Sequence, residues 1–329
     1  MHKRFSISYL LKNNMSEQNY YPYRTLLLSR DELVEFNSLS PKKVIQDIAI
    51  LWGQILALWV SAFYLRQWWF LCVSAALVGN RYYSLYIIGH DGLHRRLHSR
   101  MQINDLVNDC FVLAPLGAIT RINRSNHMKH HADFSTDTDP DRYKYISRHE
   151  LSPVGFMFSL TGVPFVLRAI WNVYAARNNR SGENGLSYKA RDVLIVLAWQ
   201  LVLIFGLGLA FGWWGYFLMW LIPVYIFTYA TDIIRVYCEH SVESGDNLSF
   251  ERRLITYFPG PVELLLFAPM NMNHHVSHHL WPSIPYYNLP RVTRLIYSRL
   301  DRLPKGLLPL TCRGSYVRYI FDIFKKCFN

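Results

Sequence analysis

Three histidine clusters carry most of the chemistry this chain could perform. HDGLH sets His90 and His94 four residues apart, HMKHH sets His127, His130 and His131, and HVSHH repeats that spacing at His275, His278 and His279. In a helix, positions i, i+3 and i+4 share a face, so each cluster would aim its imidazoles one way. Neutral imidazole nitrogen suits iron, copper and zinc, and a nitrogen-rich set with few sulfurs favours these over calcium or magnesium. The clusters hold more ligands than one ion needs. His240 is a further candidate, and a total of about nine suits two metal ions with four or five protein ligands each. A lone HxxxH in a helix is common and need not bind metal; two HxxHH clusters beside it are a much rarer combination.

Asp91, Asp139, Asp141 and Glu239 are candidates for accepting hydrogen bonds from ligating imidazoles, which would fix the tautomer each presents. The bland alternative is that they are ordinary interfacial carboxylates. No catalytic group is singled out beyond the metal ligands. His98, past Arg95 and Arg96, reads as a surface or outer supporting residue, His274 as facing another direction, and His2 and His149 as solvated.

The elements that position these clusters read as membrane helices. The 329 residues are 51% hydrophobic, 16% aromatic and only 18% charged, with the apolar residues gathered in blocks. Candidate spans cover residues 44–65, 68–88, 193–211 and 215–230, close to the length a bilayer demands. Arg66 and Gln67 separate the first pair, and Gly212 to Gly215 the second, so each pair reads as a tight hairpin. His90 follows the second span as His240 follows the fourth, which puts both at one membrane depth. Residues 110–120 are too short to cross, and residues 154–176 are interrupted by Gly162 and Pro164, so both read as interfacial or re-entrant. A fifth crossing would leave the second and third clusters on opposite sides.

The short hairpin loops carry only Arg66, whereas the other polar segments hold nearly all the Lys and Arg, which predicts that both termini and all three clusters are cytoplasmic. The expected fold is an all-α integral membrane protein: four transmembrane helices, interfacial helices and a cytoplasmic helical cap bearing the histidines. Residues 1–43 form a cytoplasmic N-terminal segment, 44–295 the membrane domain and 296–329 a cytoplasmic tail. Arg81, inside the second span, should face the protein interior or a polar pocket, and Trp68, Trp69, Tyr82, Tyr83 and Tyr86 read as helix packing, interface belt or substrate tunnel.

The net charge of +12 is spread over every polar segment without a nucleic-acid reading motif, and fits anionic lipid headgroups better. Five scattered cysteines (Cys72, Cys110, Cys238, Cys312 and Cys327) form no CxxC pair, which predicts neither a disulfide framework nor an internal iron–sulfur module. No signal peptide or internal repeat is visible, and Met15 is a candidate alternative start.

The boxes at His90/His94, His127/His130/His131 and His275/His278/His279 resemble those of the membrane fatty acid desaturase family. The resemblance extends to DTDPD at residues 137–141 and to HHLWPSIPYYNLP through Pro290, and covers about residues 45–295. It implies a non-haem di-iron centre, two iron ions, that uses O2 and two electrons to introduce a double bond into an acyl chain taken from the bilayer. An alkane C–H bond carries no acidic proton, so the oxidising power must come from a cofactor while the protein orients the substrate and excludes water. No haem-binding HPGG stretch is present, which implies an external ferredoxin or cytochrome b5-type donor docked on a basic face.

The nearest rival is a di-iron hydroxylase or ketolase of an aliphatic, carotenoid or sphingolipid substrate, which would use the same boxes. A histidine-rich metal transporter or sensor is the rival from another class. Transport would need ligands near the bilayer midplane, whereas the clusters lie outside the predicted spans.

Overall fold

The computed structural model describes residues 24–134, 136, 138–144, 153–163, 167, 188–240, 254–303 and 311–328. Met15, His2, His149 and Asp137 lie outside them, as does most of residues 154–176.

Helix dominates. Pro41–Leu65 (α2), Ala190–Phe211 (α7) and Phe217–His240 (α8) are long and apolar enough to cross a membrane. Trp68–Leu93 (α3) has the length but is interrupted by Asn80, Arg81 and several tyrosines. The short Arg30–Phe36 (α1) precedes these helices; Met101–Asn108 (α4), Thr120–Asp133 (α5) and Pro153–Leu160 (α6) lie between α3 and α7. After α8 come Pro261–Phe267 (α9), His275–Leu280 (α10), Leu289–Tyr297 (α11) and Tyr316–Phe328 (α12). Ile255–Tyr257 (β1) and Thr311–Arg313 (β2) form a parallel ladder, an addition to the expected all-α architecture.

Both expected hairpin turns form. Arg66 ends α2 in the left-handed region at φ 48°, and its amide donates to Ala62 O at 3.1 Å. Gly212 turns at φ 81° and accepts from Gly215 N at 2.8 Å. The helices run on past the predicted spans at residues 68–88 and 215–230: α3 continues to Leu93 and α8 to His240. The α8 extension holds because Arg235 pairs with both Asp232 and Glu239 at helical intervals while Lys144 also reaches Asp232. α8 carries π-helical turns at Phe217–Leu221 and Ile226–Thr231, flanking Pro223, which has no amide proton to give an α ladder.

The helix core is aromatic. Trp52 stacks on Trp199 and Trp220 at centroid distances of 5.2 and 6.0 Å, and Tyr82 meets Trp220 edge-on at 4.7 Å. Residues 109–116 form no crossing helix; they turn through Asp109–Leu113 and Ala114–Leu116. Their carbonyls are satisfied from the long helices: Trp52 Nε1 donates to Phe111 O at 2.9 Å, Trp199 Nε1 to Cys110 O at 2.6 Å and Gln200 Nε2 to Pro115 O at 3.0 Å. Irregular backbone beside apolar helices requires such partners.

A second core joins the chain's beginning to its third histidine cluster. Leu27, Leu28 and Phe36 pack with Val276, Leu280, Trp281, Leu289, Val292 and Ile296. Ser29 and Glu32 form a capping box on α1, Arg299 Nη2 reaches Glu32 Oε1 at 2.6 Å, and Tyr287 Oη accepts from Ser40 N at 2.7 Å. Residues 24–40 thus hold the segment that follows the third cluster.

Candidate metal centre

His90 lies near the end of α3, and His94 caps it. The last carbonyls of α3 would be orphans without partners. Asn104 Nδ2 donates to Gly92 O at 2.9 Å, Asn108 Nδ2 to Gly89 O at 3.1 Å, and Arg124 of α5 to Leu93 O at 2.8 Å and Gly92 O at 3.0 Å. A Cβ at Gly92 would come within 2.4 Å of Asn108 Nδ2, so the glycine of HDGLH permits this contact. Arg124 also pairs with Asp105, at 2.5 Å. One cation thus ties α5, the second histidine helix, to the end of α3.

Asp109 Oδ1 accepts from Thr120 N at 2.7 Å and fixes the start of α5, which carries His127, His130 and His131. His240 is the last residue of α8, and α10 carries His275, His278 and His279. The nine histidines singled out in the sequence come together in this arrangement. His90, His94, His127, His131 and His278 offer ring nitrogens that lie within 4.8 Å of one another, and His130, His240 and His279 form a second such group. The groups adjoin: the rings of His131 and His279 are 4.4 Å apart, and those of His130 and His131 5.6 Å. His275 joins the second through His240, Nε2 to Nε2 at 2.7 Å.

The donor chemistry fits metal ions. His94 and His131 place Nε2 at 2.8 and 3.1 Å from Nε2 of His127. Nitrogens ~2.1 Å from a shared ion and about 90–110° apart would be about 3.0–3.4 Å from each other. His278 is 1% exposed, yet neither ring nitrogen has a hydrogen-bond partner among the described residues. Such a group is costly in a dry interior unless something else binds it. Burial, and secondarily the neighbouring charges, holds His94, His127, His131, His275, His278 and His279 well below the ordinary histidine range. They are therefore neutral near pH 7, the form that ligates.

The four candidate carboxylates have different partners. Asp139 receives His130 Nδ1 at 2.9 Å, which leaves Nε2 as the lone pair His130 can offer. Glu239 Oε2 lies 3.2 Å from His275 Nδ1, without hydrogen-bond alignment. Asp91 instead accepts from Tyr286 N at 2.7 Å and pins the HHLWPSIPYY loop to α3. Asp141 Oδ2 faces Lys144 Nζ at 3.4 Å. His98 Nδ1 accepts from Arg100 N at 2.9 Å, outside both groups, and His274 stands beside Phe258.

Sequence reasoning passed over Lys144, Asp232, Arg235 and Tyr316. Arg235 Nη2 pairs with Asp232 at 2.9 Å, its Nη1 pairs with Glu239, and its Nε donates to Tyr83 Oη at 3.1 Å. Lys144 Nζ lies 3.4 Å from Asp232. The available signal was three charged residues at helical spacing directly before His240.

A cavity of about 740 Å³ lies against the imidazoles, within the usual ~300–1,000 Å³ of small-molecule sites. Ile87, Leu113, Leu116, Met272 and Val236 give it apolar walls, and Asn123, Asn126 and Lys144 polar ones. Tyr86 lines it, whereas Tyr82 and Tyr83 are packed between helices and Trp68 and Trp69 stand exposed. Arg81 is half-buried and pairs with Asn80, clear of the cavity lining. A hollow of about 960 Å³ between α2 and α7 is lined by no histidine, carboxylate or cation.

Residues 29–310 match the model of a protein family described as fatty acid desaturase. The chain is 25% identical over 303 residues to an "Omega-3 fatty acid desaturase, chloroplastic" of Glycine max, covering 84% of this chain and 65% of that protein. It is 23% identical over 261 residues to an "sn-1 acyl-lipid omega-3 desaturase (ferredoxin)" of Nostoc sp. (strain 36), covering 73% of this chain and 70% of the relative. A "Temperature-sensitive sn-2 acyl-lipid omega-3 desaturase (ferredoxin), chloroplastic" of Arabidopsis thaliana is 24% identical over 312 residues, with 85% and 69% covered. The chain thus spans about two thirds of the length of these relatives.

Proposed function

The chain belongs to the fatty acid desaturase family, and from that premise we propose that it is a membrane-embedded di-iron desaturase that introduces a double bond into an acyl chain. The observation that carries this is the convergence of two histidine groups against a cavity with both apolar and polar walls. The ligand set is His90, His94, His127, His131 and His278 for one ion, and His130, His240, His275 and His279 for the other. Two iron ions bound there would supply O2-dependent oxidation of an unactivated C–H bond with two external electrons.

The chain's own residues orient the substrate and keep water out. Ile87, Leu113, Leu116 and Met272 hold methylene groups against the histidines, and residues 24–40 and 281–296 pack against the third histidine helix at Val276 and Leu280. Asp139 sets the tautomer of His130, and Glu239 stands 3.2 Å from His275 Nδ1. In this proposal α2, α3, α7 and α8 are four spans, with both termini and the histidines cytoplasmic, as the distribution of Lys and Arg suggests, and residues 109–116 re-entrant or interfacial. The donor is a ferredoxin or cytochrome b5-type protein. Two of the relatives carry ferredoxin in their names, and a net charge of +12 suits an acidic partner.

The test is gas chromatography with mass spectrometry of lipids from a desaturase-deficient host that expresses the chain, beside a His278→Ala control. The expected result is a new double bond in an acyl chain, absent from the control. A hydroxylated or keto product instead would replace desaturation by the related hydroxylase chemistry, and a double bond that persists in the control would remove His278 from the ligand set.

A further inference from the structure

Residues 311–328 stand beyond the stretch that the family model matches, yet β2 and α12 lead back to the histidines. Thr311, Cys312 and Arg313 pair in parallel with Ile255, Thr256 and Tyr257 of β1. Glu263 of α9 then fixes the start of α12: its carboxylate accepts from Ser315 Oγ and from Tyr316 N, each at 2.7 Å. The Tyr316 ring is fully buried and stacks on Tyr257 with centroids 4.0 Å apart. Its hydroxyl donates to Glu239 Oε1 at 3.0 Å, across 77 residues of sequence.

Glu239 is itself fully buried, and its second oxygen takes Nη1 of Arg235 while lying 3.2 Å from His275 Nδ1. Arg235 also donates to Asp232 and to Tyr83 Oη, which in turn donates to Phe267 O at 3.1 Å. Glu239 is therefore gripped by two donors, one a turn earlier on α8 and one from α12, and its Oε2 faces His275 Nδ1 at 3.2 Å, short of hydrogen-bond alignment. His275 Nε2 points at Nε2 of His240. A ligating imidazole whose other nitrogen faces an oriented carboxylate is held in one tautomer and one rotation.

We propose that Tyr316 and Arg235 are positioning residues of the metal centre, jointly aiming Glu239 at His275, so that the C-terminal segment is a working part of the site rather than a tail. The inference rests on reading the histidines as iron ligands. Arg235 is suited to the task because a planar guanidinium serves three acceptors at fixed angles, which an ammonium on a flexible stem does not.

The experiment uses the purified full-length chain loaded with ferrous iron. Iron retained per chain is followed during a timed chelator challenge, and the melting temperature of the metal-free protein is measured in parallel. Tyr316→Phe keeps the stacked ring and removes one hydroxyl; Arg235→Lys keeps the charge and removes the fork. Both variants are expected to weaken iron retention roughly tenfold or more, the usual effect of losing an outer partner of a metal ligand, with the metal-free melting temperature of Tyr316→Phe close to wild type. Arg318→Gln, exposed on the same helix, should retain iron as wild type does. Wild-type retention in both Tyr316→Phe and Arg235→Lys would overturn the proposal. So would iron loss matched by an equal loss of metal-free stability, since packing alone would explain both. A wild-type chain that takes up no iron would instead overturn the metal reading beneath it.

Discussion

His130 and His278 occupy opposite situations in the histidine cluster. His130 gives its Nδ1 proton to Asp139, whereas neither nitrogen of His278 meets a protein partner among the described residues. Replacing either by alanine removes an imidazole from one of the two groups. His130→Ala is therefore expected to abolish turnover while membrane insertion, assayed by fractionation, is unchanged; retained activity would exclude His130 as a ligand. Asp139→Asn keeps the shape but presents a neutral amide to Nδ1, and iron affinity should fall roughly 10–100-fold, as read by competition with a chelator. Binding equal to wild type would make Asp139 a loop-capping residue, a role its bond from Asp141 N at 2.8 Å already gives it. The histidines were legible because their spacing alone aligns them on helices. Asp91 reads in the sequence either as an imidazole acceptor or as an ordinary interfacial carboxylate, and adjacency in sequence does not reveal that Tyr286, 195 residues away, donates to it.

The elements that aim these residues depend on a few close approaches. Gly79 lets α3 meet α8, since a Cβ there would stand 2.3 Å from Pro223 O, a backbone atom that cannot swing aside. Gly79→Val should therefore destabilise the helix pair by about 1–3 kcal/mol, seen as a lower melting temperature and weaker iron retention in detergent; a melting temperature equal to wild type would show that the helices can part without cost. The docking of α1 has a different basis. The hydrogen bond from Arg299 first, and that from Ser29 N second, hold Glu32 at about 2 against an ordinary 4.5. A depressed carboxylate contributes stability above the unfolded value, and that contribution fades as pH falls from about 4.5 through about 2. Hydrogen exchange of α1 amides, corrected for the intrinsic pH dependence, should show protection lost over that window in wild type and already reduced at pH 7 in Arg299→Ala. Equal protection at pH 7 would show that apolar packing alone docks α1.

The molecule as a whole couples an apolar helix bundle to a basic exterior, with 35 Lys and Arg against 23 Asp and Glu. If an acidic donor docks on that exterior, turnover with purified ferredoxin should fall several-fold between about 10 mM and 150 mM salt as the Debye length shortens to about 8 Å. A flat salt profile would point to apolar docking. The sequence by itself located the histidine clusters and most of the helices, because imidazole spacing and runs of apolar side chains are local properties. It also placed both hairpin turns, where a left-handed residue or glycine is needed. Only the tertiary structure decided that α8 runs on to His240, since Asp232, Arg235 and Glu239 look like a polar exit from the membrane until Lys144, Tyr83 and Tyr316 are seen to complete their pairing. Only it decided, too, that residues 24–40 clamp the third cluster and that Tyr316 reaches Glu239. Such contacts join segments hundreds of residues apart or side chains whose partners have no fixed spacing, and they exist only once the chain has closed around the site.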